Sequence, residues 1–470
     1  MSYLLALDIG TTNIKALAFS ADLVLVDMEK LQLLPISEKH GWQEQDPEAI
    51  VQACSRVIRV LVSRCGAPLG ICISSAMHAI VGIDHEEQAI GNFLLWSDTR
   101  SSQQANQLRE SESTKQFYEQ SGTPIHPMSP FVKLLWFKQE APKLFSRAEK
   151  WVGIKSYLLF HWTGEWFCDY SMASGMGLFD VTQKSWSREA LDLLGLSYHH
   201  FPQLVDTDVQ LPKLDSSMAA EWDMPVGTPV IIGGADGPLA NLGAGIDDYS
   251  IPVLTIGTSG AIRRRCTHFQ TIEKQQLFCY YLDQESYVLG GASNNGGNVF
   301  QWLQTIFGQL DYQKILSETP SDPDLLFLPF LQGERAPIWN AAASAQLVGL
   351  NGQHSKEQII KAMLEGVMLN MATIAQQLEQ ATSPIERIYV SGGFTQLPAW
   401  VQLLADVLGK TLLVGENTEA SGRGAAMIGW KALGFDSSKK GEVFQEIQPS
   451  IQKRAFYTTL LDRFKNLVNI

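Results

Sequence analysis

Residues 3–19, YLLALDIGTTNIKALAF, and residues 251–264, IPVLTIGTSGAIRR, repeat one pattern in the two halves of the chain. In each stretch an apolar strand ends in Ile-Gly-Thr, the next residue is Thr or Ser, and a second strand follows after the turn. The stretch LVLVDME at 23–29 adds a third strand to the first copy and completes an antiparallel meander. A repeat on this scale indicates an internal duplication. We therefore expect two α/β domains that open with the same meander.

The elements after each meander alternate between helix and strand. Apolar residues recur at helical spacing over 47–65, and the buried strand LGICISS follows at 69–75. The second half predicts helices at 297–308, 355–380, 398–409 and 420–434, and strands at 325–330, 385–393 and 411–416. Asp247, Asp248 and Pro252 interrupt the apolar pattern between the halves. We place the domains at 1–247 and 248–470 and expect a ligand cleft between them.

The composition fits a two-domain protein of the cytoplasm. The 470 residues exceed what one core usually organises, and 45% of them are hydrophobic. A formal net charge of -13 argues against nucleic acid or an anionic membrane as a partner. The sequence has no run of eighteen apolar residues and no basic flank before its first apolar stretch. Its six cysteines form no CxxC pair, which argues against a disulfide framework or a zinc site.

The two glycine turns are candidate phosphate sites. Gly10 lets backbone amides approach phosphate oxygens, and the residues after it add side-chain donors and one positive charge. These residues are Thr11, Thr12, Asn13 and Lys15. A hairpin turn without any ligand explains the first turn equally well when it is taken alone. Its repetition at Gly257-Thr258-Ser259-Gly260 favours two turns that hold the phosphates of a nucleotide from opposite sides of a cleft.

Asp236 is the candidate base. Phosphoryl transfer to a hydroxyl requires donors around the phosphates, a divalent metal with a carboxylate, and a base beside the acceptor. Asp236 lies in the string GGADGP at 233–238, between the strand PVII and a helix rich in Gly and Ala. A carboxylate at a strand end, between glycines that let a ligand approach, can serve as that base. The alternative is that Asp236 only caps the following helix.

Three further positions carry weaker signals. His78 follows the strand LGICISS and is a candidate partner for sugar hydroxyls, although a single His is often structural. The glycines of Ser391-Gly392-Gly393 and of Gly296-Gly297-Asn298 could let an adenosine lie against the backbone, and ordinary turns are equally consistent. The motifs GxxxxGK[ST], GxGxxG after a strand, GxSxG and HExxH are absent from the sequence. This argues against the commonest NTPase, dehydrogenase, esterase and zinc-protease functions.

Two longer motifs resemble the signatures of the FGGY family of carbohydrate kinases. The first runs from Met128 to Glu140 and the second from Ala345 to Glu365, in the expected order between the glycine turns. The string QGERAP at 332–337 resembles the family's motif close to the cleft. The resemblance spans nearly the whole chain and implies an actin-like ATPase fold of two ribonuclease H-like domains. It also implies ATP and Mg²⁺ as cofactors and a small sugar or sugar acid as partner. A homodimer is an open expectation by analogy with relatives.

The resemblance also implies roles at the matching positions. Asp236 matches the catalytic base, and Asp8 matches the carboxylate near magnesium. The positions that match the sugar pocket are Met77, His78, Met128 and Asp236. Those that match the phosphate turns are Thr11, Thr12, Asn13, Lys15, Gly257 and Thr258. Those around the adenosine are Gly297, Gln301, Gly392 and Gly393. Leu397 stands where some relatives place a polar residue near the adenine, so contacts to the base have the least support.

Within that family, three strings resemble the gluconate kinases: SSAMH at 74–78, WSDTR at 96–100 and GTPIHPMSPFVKLLW at 122–136. Ala76 stands where xylulose kinases usually have Gln. Gluconate carries a carboxylate, which requires a cation or several donors in its pocket, and His126, Lys133 and Arg100 are the candidates. A xylulose kinase is the alternative enzyme. A catalytically silent regulator that binds sugar or ATP is the alternative from another class.

Overall fold

The computed structural model describes residues 2–212, 214–415, 419–435 and 444–469. The strands of the first half are β1 (Leu4–Ile9), β2 (Asn13–Phe19), β3 (Leu25–Gln32), β4 (Glu44–Gln45), β5 (Ile71–Ser75), β6 (Val81–Ile83), β7 (Phe93–Leu94), β8 (Lys150–Val152), β9 (Phe167–Asp169), β10 (Phe179–Asp180), β11 (Ser185–Trp186), β12 (Gln203–Val205) and β13 (Val230–Ala235). Its helices are α1 (Pro47–Cys65), α2 (Ser102–Arg109), α3 (Thr114–Ser121), α4 (Pro130–Glu140), α5 (Pro142–Phe145), α6 (Ile154–Thr163), α7 (Tyr170–Ser174), α8 (Arg188–Leu194), α9 (Ser216–Glu221) and α10 (Asp236–Gly243).

The second half continues the numbering. Its strands are β14 (Val253–Ile256), β15 (Gly260–Cys266), β16 (Phe278–Asp283), β17 (Ser286–Ser293), β18 (Leu326–Leu328), β19 (Gln346–Val348), β20 (Arg387–Ser391), β21 (Thr411–Val414) and β22 (Gln445–Ile447). Its helices are α11 (Gly297–Phe307), α12 (Tyr312–Glu318), α13 (Lys356–Ala381), α14 (Pro398–Leu408), α15 (Ala420–Ala432) and α16 (Arg454–Leu467).

Five strands of the first half form one sheet in the order β13-β5-β1-β2-β3. The strands β1, β2 and β3 make the predicted antiparallel meander, and β5 and β13 extend it as parallel strands. Every residue of β1, β5 and β13 is buried, as their continuous apolar sequences require. The strands β1, β5 and β13 are parallel, so they end at the same edge of the sheet. The first glycine turn follows β1, His78 follows β5 and Asp236 follows β13, so all three lie at that edge.

The second sheet repeats this arrangement. Its order is β16-β17-β15-β14-β20-β21-β22, with β14, β15 and β17 antiparallel and with β20 and β21 parallel to β14. The segment β17-β15-β14-β20-β21 therefore has the same order as β3-β2-β1-β5-β13. This confirms the predicted α/β fold with two actin-like, ribonuclease H-like units. The strands β16 and β22 extend the second sheet at its two edges.

Two helices cross where the halves meet. Helix α10 begins at Asp236, and helix α15 of the second half packs against α10 and against β1 and β5 of the first sheet. The crossing is close because small residues line it: a Cβ on Gly424 would overlap the carbonyl oxygen of Leu239. Helix α15 follows residue 248 in the sequence and yet packs on the first sheet. The division at 247/248 therefore separates the two halves along the sequence, and as a boundary between domains it stays a prediction.

We expect Gly424→Ala to destabilise the protein by about 1–3 kcal/mol, because the added methyl group meets backbone atoms of α10 that no side-chain rotation can move away. The higher helix propensity of Ala offsets only about 1 kcal/mol of this. Urea unfolding of both proteins measures the difference. Gly352→Ala is the matched control, because a Cβ at Gly352 meets no atom within 4 Å. Equal losses of stability in the two variants would contradict the close crossing.

Most predicted elements are found with small changes at their ends. The helix predicted at 355–380 spans Lys356–Ala381, and the strand predicted at 385–393 spans only Arg387–Ser391. The strand ends there because Gly392 has φ 112°, which extended strands do not use. Position 416, the last of the strand predicted at 411–416, lies outside the described residues. Among the helices in the described ranges, we find none with the length and apolar character needed to cross a membrane.

Candidate active site

A cavity of about 300 Å³ lies between the two halves, at the edge where β1, β5 and β13 end. The residues of the first half that line it are Thr11, Thr12, Met77, His78, Trp96, Met128, Asp236 and Gly237. Those of the second half are Thr258, Ser259, Gly260, Ala261, Arg263, Phe278, Tyr280, Ala292, Arg335 and Trp339. The structure thus brings the predicted base, the predicted sugar-pocket residues and both glycine turns to one place.

Each glycine turn is closed by a hydrogen bond from its first glycine, and the second turn is one residue shorter than the first. The N–H of Gly10 donates to the carbonyl oxygen of Asn13 at 3.0 Å, and the N–H of Gly257 donates to that of Ser259 at 2.9 Å. The first turn contributes two threonines to the cavity lining, and the second contributes Thr258 and Ser259. Hydroxyl groups and turn amides on both sides of one cavity are a suitable set of donors for a chain of phosphates.

Asp8 lies behind the first turn and is held in place from both halves. Its carboxylate accepts the Ser74 hydroxyl at 2.8 Å and the Ser421 hydroxyl of α15 at 2.9 Å. Lys15 lies opposite Asp8 in the register of β1 and β2, but its ammonium pairs with Glu419 at 2.6 Å. A phosphate contact by Lys15 therefore requires this ion pair to open.

Asp236 is the first residue of α10, and Ala235 occupies the N-cap position. Its carboxylate is half-buried and accepts the N–H of Gly237 at 2.7 Å. Burial, with a contribution from the negative charge of Asp8, raises the pKa of Asp236 to about 6, although Arg263 and the Gly237 N–H act in the opposite direction. The capping alternative is not found in its predicted form, because Ala235 is the N-cap and Asp236 already belongs to the helix, where it accepts the N–H of the next residue. A carboxylate with this pKa is ionised near neutral pH and is a better base than an ordinary Asp.

We expect kcat/KM to fall about tenfold for each pH unit below about pH 6, because the base must be unprotonated to accept a proton. An Asp with an ordinary pKa would hold its activity down to about pH 4. Because protonation of a group with a raised pKa stabilises the fold, acidification from about pH 6 to about pH 4 does not unfold the protein through this carboxyl. Initial rates across this range measure the effect, and constant rates down to about pH 4.5 would contradict it.

His78 is held in an unusual backbone conformation at the cavity wall. Its φ is 68°, and its Nδ1 lies 2.7 Å from the carbonyl oxygen of Gly175. Because a carbonyl only accepts, Nδ1 carries the proton and Nε2 remains an acceptor. Burial, with the charge of Lys133 nearby, lowers the pKa of His78 to about 3, so the ring stays neutral. The side chain can accept a hydrogen bond from a sugar hydroxyl, as the sequence predicts.

The predicted adenosine residues lie behind the second turn and outside the cavity lining. The N–H of Gly297 donates to the carbonyl oxygen of Gly257 at 2.7 Å, and a Cβ on Gly392 would lie 2.6 Å from the carbonyl oxygen of Ile256. A Cβ on Gly393 would meet no atom within 4 Å, and Gln301 is exposed on α11. Gly297 and Gly392 are therefore packed against the strand and turn that precede the phosphate donors.

Two of the candidates for binding a substrate carboxylate have other partners. The buried ammonium of Lys133 donates to the carbonyl oxygens of His78, Leu94 and Leu95, which uses all three of its donors. Arg100 pairs with Glu44 and Asp98 and lies over the ring of Trp42. His126 is buried and accepts the N–H of Met128 at 3.2 Å. Burial lowers its pKa well below the usual range, so it carries no charge. We correct the expectation for Lys133 and Arg100 accordingly.

Arg263, Tyr280 and Trp339 line the cavity and were missed from the sequence. Arg263 follows the second turn by three residues on β15, so alternation along that strand was an available signal. Tyr280 and Trp339 are brought to the cavity by β16 and by the segment after Arg335. No local pattern marks them. Arg335 belongs to the QGERAP string, which was expected close to the cleft and lies in its lining.

Asp8 fits the kind of site in which kinases hold Mg²⁺. Such sites use one or two carboxylates together with phosphates and water, because Mg²⁺ keeps much of its hydration shell. Within the described ranges, no group of three or more His, Cys, Asp or Glu side chains could hold a metal by itself. A single carboxylate just before the first turn suits an ion that arrives with a nucleotide and is held mainly by its phosphates and water.

Comparison with known proteins agrees with this geometry. The sequence model of the FGGY family of carbohydrate kinases, N-terminal domain, matches residues 3–243, and that of the C-terminal domain matches residues 253–433. The chain belongs to the FGGY family of carbohydrate kinases. It is therefore a carbohydrate kinase with an actin-like fold, as predicted.

Several FGGY proteins are similar along their whole length. A protein named gluconokinase from Bacillus subtilis (strain 168) is 34% identical, with 99% of this chain and 95% of the relative covered. A ligand-bound xylulose kinase structure from Lactobacillus acidophilus superimposes with a TM-score of 0.95 at 29% identity, covering 100% of this chain and 98% of the other. A gluconate kinase structure from the same organism superimposes with a TM-score of 0.94 at 29% identity and the same coverage.

Proposed function

We propose that this FGGY kinase transfers the terminal phosphoryl group of ATP to a hydroxyl of gluconate, giving 6-phosphogluconate, with Asp236 as the general base. One observation carries the proposal: a single cavity brings Asp236, both glycine turns and two arginines together. A base and phosphate donors are required for any sugar kinase, whereas the arginines favour an acidic sugar. The gluconokinase and gluconate kinase among its relatives support the same acceptor.

The mechanism follows from the placement of the side chains. Asp236 accepts the proton of the primary hydroxyl while the oxygen of that hydroxyl attacks the terminal phosphorus of ATP. The bond between this phosphorus and the β-phosphate oxygen breaks, and ADP leaves. His78 Nε2 orients the acceptor through another hydroxyl, and Met77 and Met128 contact its carbon chain. Donors of the two turns stabilise charge on the group in transfer. When Mg²⁺ is bound with ATP, it neutralises part of the negative charge of the phosphates.

The assignments of individual residues form part of this proposal. Asp8 lies where it can help hold Mg²⁺. The phosphate donors are Thr11, Thr12, Asn13, Gly257 and Thr258, and Lys15 joins them if its pair with Glu419 opens. The adenosine is assigned to Gly297, Gln301, Gly392 and Gly393. Action in the cytoplasm and assembly as a homodimer remain predictions.

A xylulose kinase is the second candidate, because a structure with that name superimposes as well as the gluconate kinase does. The charge of the cavity separates the two. Xylulose is neutral, so with it the lining arginines would face only Asp236 and the phosphates of ATP as anions. A silent regulator is disfavoured, because Asp8, Asp236 and both turns are all in place.

The test is ADP release by the purified protein with Mg-ATP, measured in parallel with gluconate, xylulose, ribulose and glycerol. We expect gluconate to give the highest kcat/KM. Preference for a ketopentose would retain the kinase and replace the acceptor. No ADP release with any of the four would contradict the proposed acceptor class and favour a regulator.

A further inference from the structure

The cavity carries an excess of positive charge. Of the described residues that line it, Arg263 and Arg335 are cationic and only Asp236 is anionic, while His78 is neutral because burial lowers its pKa. Both arginines come from the second half of the chain, whereas Asp236 comes from the first. A guanidinium group can stabilise charge on a transferring phosphoryl group, but both glycine turns already supply donors for the phosphates in this cavity. A second anion on the acceptor would give the two guanidinium groups a partner of their own.

Arg263 is placed in the cavity by two glycines. Its position on β15 is paired with Gly290 on β17, and a Cβ at Gly290 would lie only 3.1 Å from the Cγ of Arg263. A Cβ at Gly237 would lie 3.3 Å from its Nη2. The aliphatic part of the Arg263 side chain therefore lies across Gly290. Its guanidinium lies across Gly237, the residue directly after Asp236. Within the described chain this guanidinium has no hydrogen bond or ion pair, so its donors are available to a ligand.

Arg335 is held more tightly but also keeps unused donors. Its Nη2 donates to the carbonyl oxygen of Ser293 at 3.1 Å, and its guanidinium stands over the ring of Trp96, with Cζ 4.6 Å from the ring centre. Its Nε is buried and has no hydrogen-bond partner in the described residues. A buried N–H without a partner is costly, and an acceptor in the cavity would remove that cost.

The two guanidinium groups also act on each other. Burial, in the first place, and the positive charge of Arg263 lower the pKa of Arg335 to about 10, while Glu334 and Asp236 act in the opposite direction. Two like charges that are removed from water repel more strongly than they would on a surface. An anion bound between them would relieve this repulsion, so the charge of the cavity wall favours an anionic ligand.

We propose that Arg263 and Arg335 together bind the carboxylate of the sugar acid and so select it over neutral sugars. This inference rests on the proposed function. The phosphates of ATP have donors in the two glycine turns, whereas Arg335 stands on Trp96 in the same cavity as Met77, His78 and Met128. Lys133 and Arg100, the cations predicted for this role, do not line the cavity and are paired with carbonyl and carboxylate oxygens of the protein. The planar guanidinium fork matches a carboxylate in geometry.

The experiment compares gluconate with D-glucitol, which has the same six-carbon chain with a CH₂OH group in place of the carboxylate. KM and kcat for gluconate and the inhibition constant of glucitol against gluconate are measured in the wild type, Arg263→Met and Arg335→Met. Met keeps much of the aliphatic length and removes the charge and the donors. Arg265→Met is the matched control, since Arg265 lies on the same strand but stacks over Tyr249 outside the cavity.

We expect each cavity variant to raise the KM for gluconate about tenfold to a hundredfold, with the glucitol inhibition constant changed less than about threefold. Arg265→Met should leave both constants as in the wild type. A gluconate KM that does not rise in either variant overturns the proposal. An equal rise of both constants also overturns it, since the arginines would then only shape the cavity. A fall in kcat alone, or a rise in the KM for ATP alone, would instead assign the two arginines to the phosphoryl group.

The first measurement in the series separates this inference from the proposed function. If the wild type does not phosphorylate gluconate, the proposed function has failed, and the proposed carboxylate site at the two arginines fails with it. If the wild type phosphorylates gluconate and both variants retain its KM, only the two-arginine site has failed. Arg263→Lys adds a further readout, because a point charge without the planar fork should recover part of the gluconate affinity.

Discussion

Replacing Asp236 by Asn is expected to lower kcat by about 10²- to 10⁴-fold, the usual contribution of a positioned general base. Asn has the same shape, and its amide oxygen can still accept the Gly237 N–H, so helix α10 should begin as it does in the wild type. Removing the negative charge should not weaken the binding of Mg-ATP by itself, because the turn donors are unchanged. Steady-state kinetics with gluconate and equilibrium binding of ATP measure the two effects separately.

The matched control for this variant is Asp215→Asn. Asp215 also accepts a backbone N–H at the start of a helix, from Ser217 at 2.8 Å, but it is exposed and lies outside the cavity. Its replacement should leave kcat unchanged. If Asp236→Asn retains the turnover of the wild type, Asp236 is not the base. If it loses turnover and also fails to bind ATP, the residue acts through the shape of the cleft.

The fold could be predicted from the sequence because its strongest signal is local and occurs twice. The strings LALDIGTTNIKALAF and VLTIGTSGAIRR each encode a buried strand, a turn and a return strand within fifteen residues. Strands β5, β20 and β21 could also be predicted, since each one is a short apolar run after a helix, whereas the order of the strands in the sheets comes from the structure. The same locality places Asp236 and His78, because both come directly after such a run and parallel strands end at one edge.

The electrostatics of the cavity could not be predicted in this way. Lys133 looked available for a substrate carboxylate, but its three donors are used by carbonyl oxygens that come from the loop and strand around His78 and Leu94. Whether a cation is free depends on acceptors from distant segments. For the same reason Arg263 went unnoticed: its guanidinium is available only because Gly237 and Gly290, from two other elements, leave room for it.

A buried ion pair supports the strand that carries the base. The ammonium of Lys155 on α6 contacts the carboxylate of Asp169 at 2.6 Å, and both side chains are almost completely inaccessible to solvent. The same ammonium donates to the carbonyl oxygens of Ile232 at 3.1 Å and of Gly234 at 2.9 Å, at the end of β13. Asp169 in turn accepts the N–H of Met172 at the start of α7. Lys155 therefore ties together the residues just before Asp236.

Lys155→Met is expected to lower the free energy of unfolding by about 3–5 kcal/mol, because it leaves the Asp169 charge and two carbonyl groups buried without a partner. Urea unfolding measures this loss. Lys150→Met, which removes a partly exposed lysine with one bond to the carbonyl oxygen of His199, should change stability by no more than about 0.5 kcal/mol. The double variant Lys155→Met with Asp169→Asn should recover part of the loss, since the unpaired charge is gone while the bond to Met172 can remain. No recovery in the double variant would mean that the carbonyl groups of β13 dominate, and a loss below about 1 kcal/mol in Lys155→Met would contradict the role of the pair.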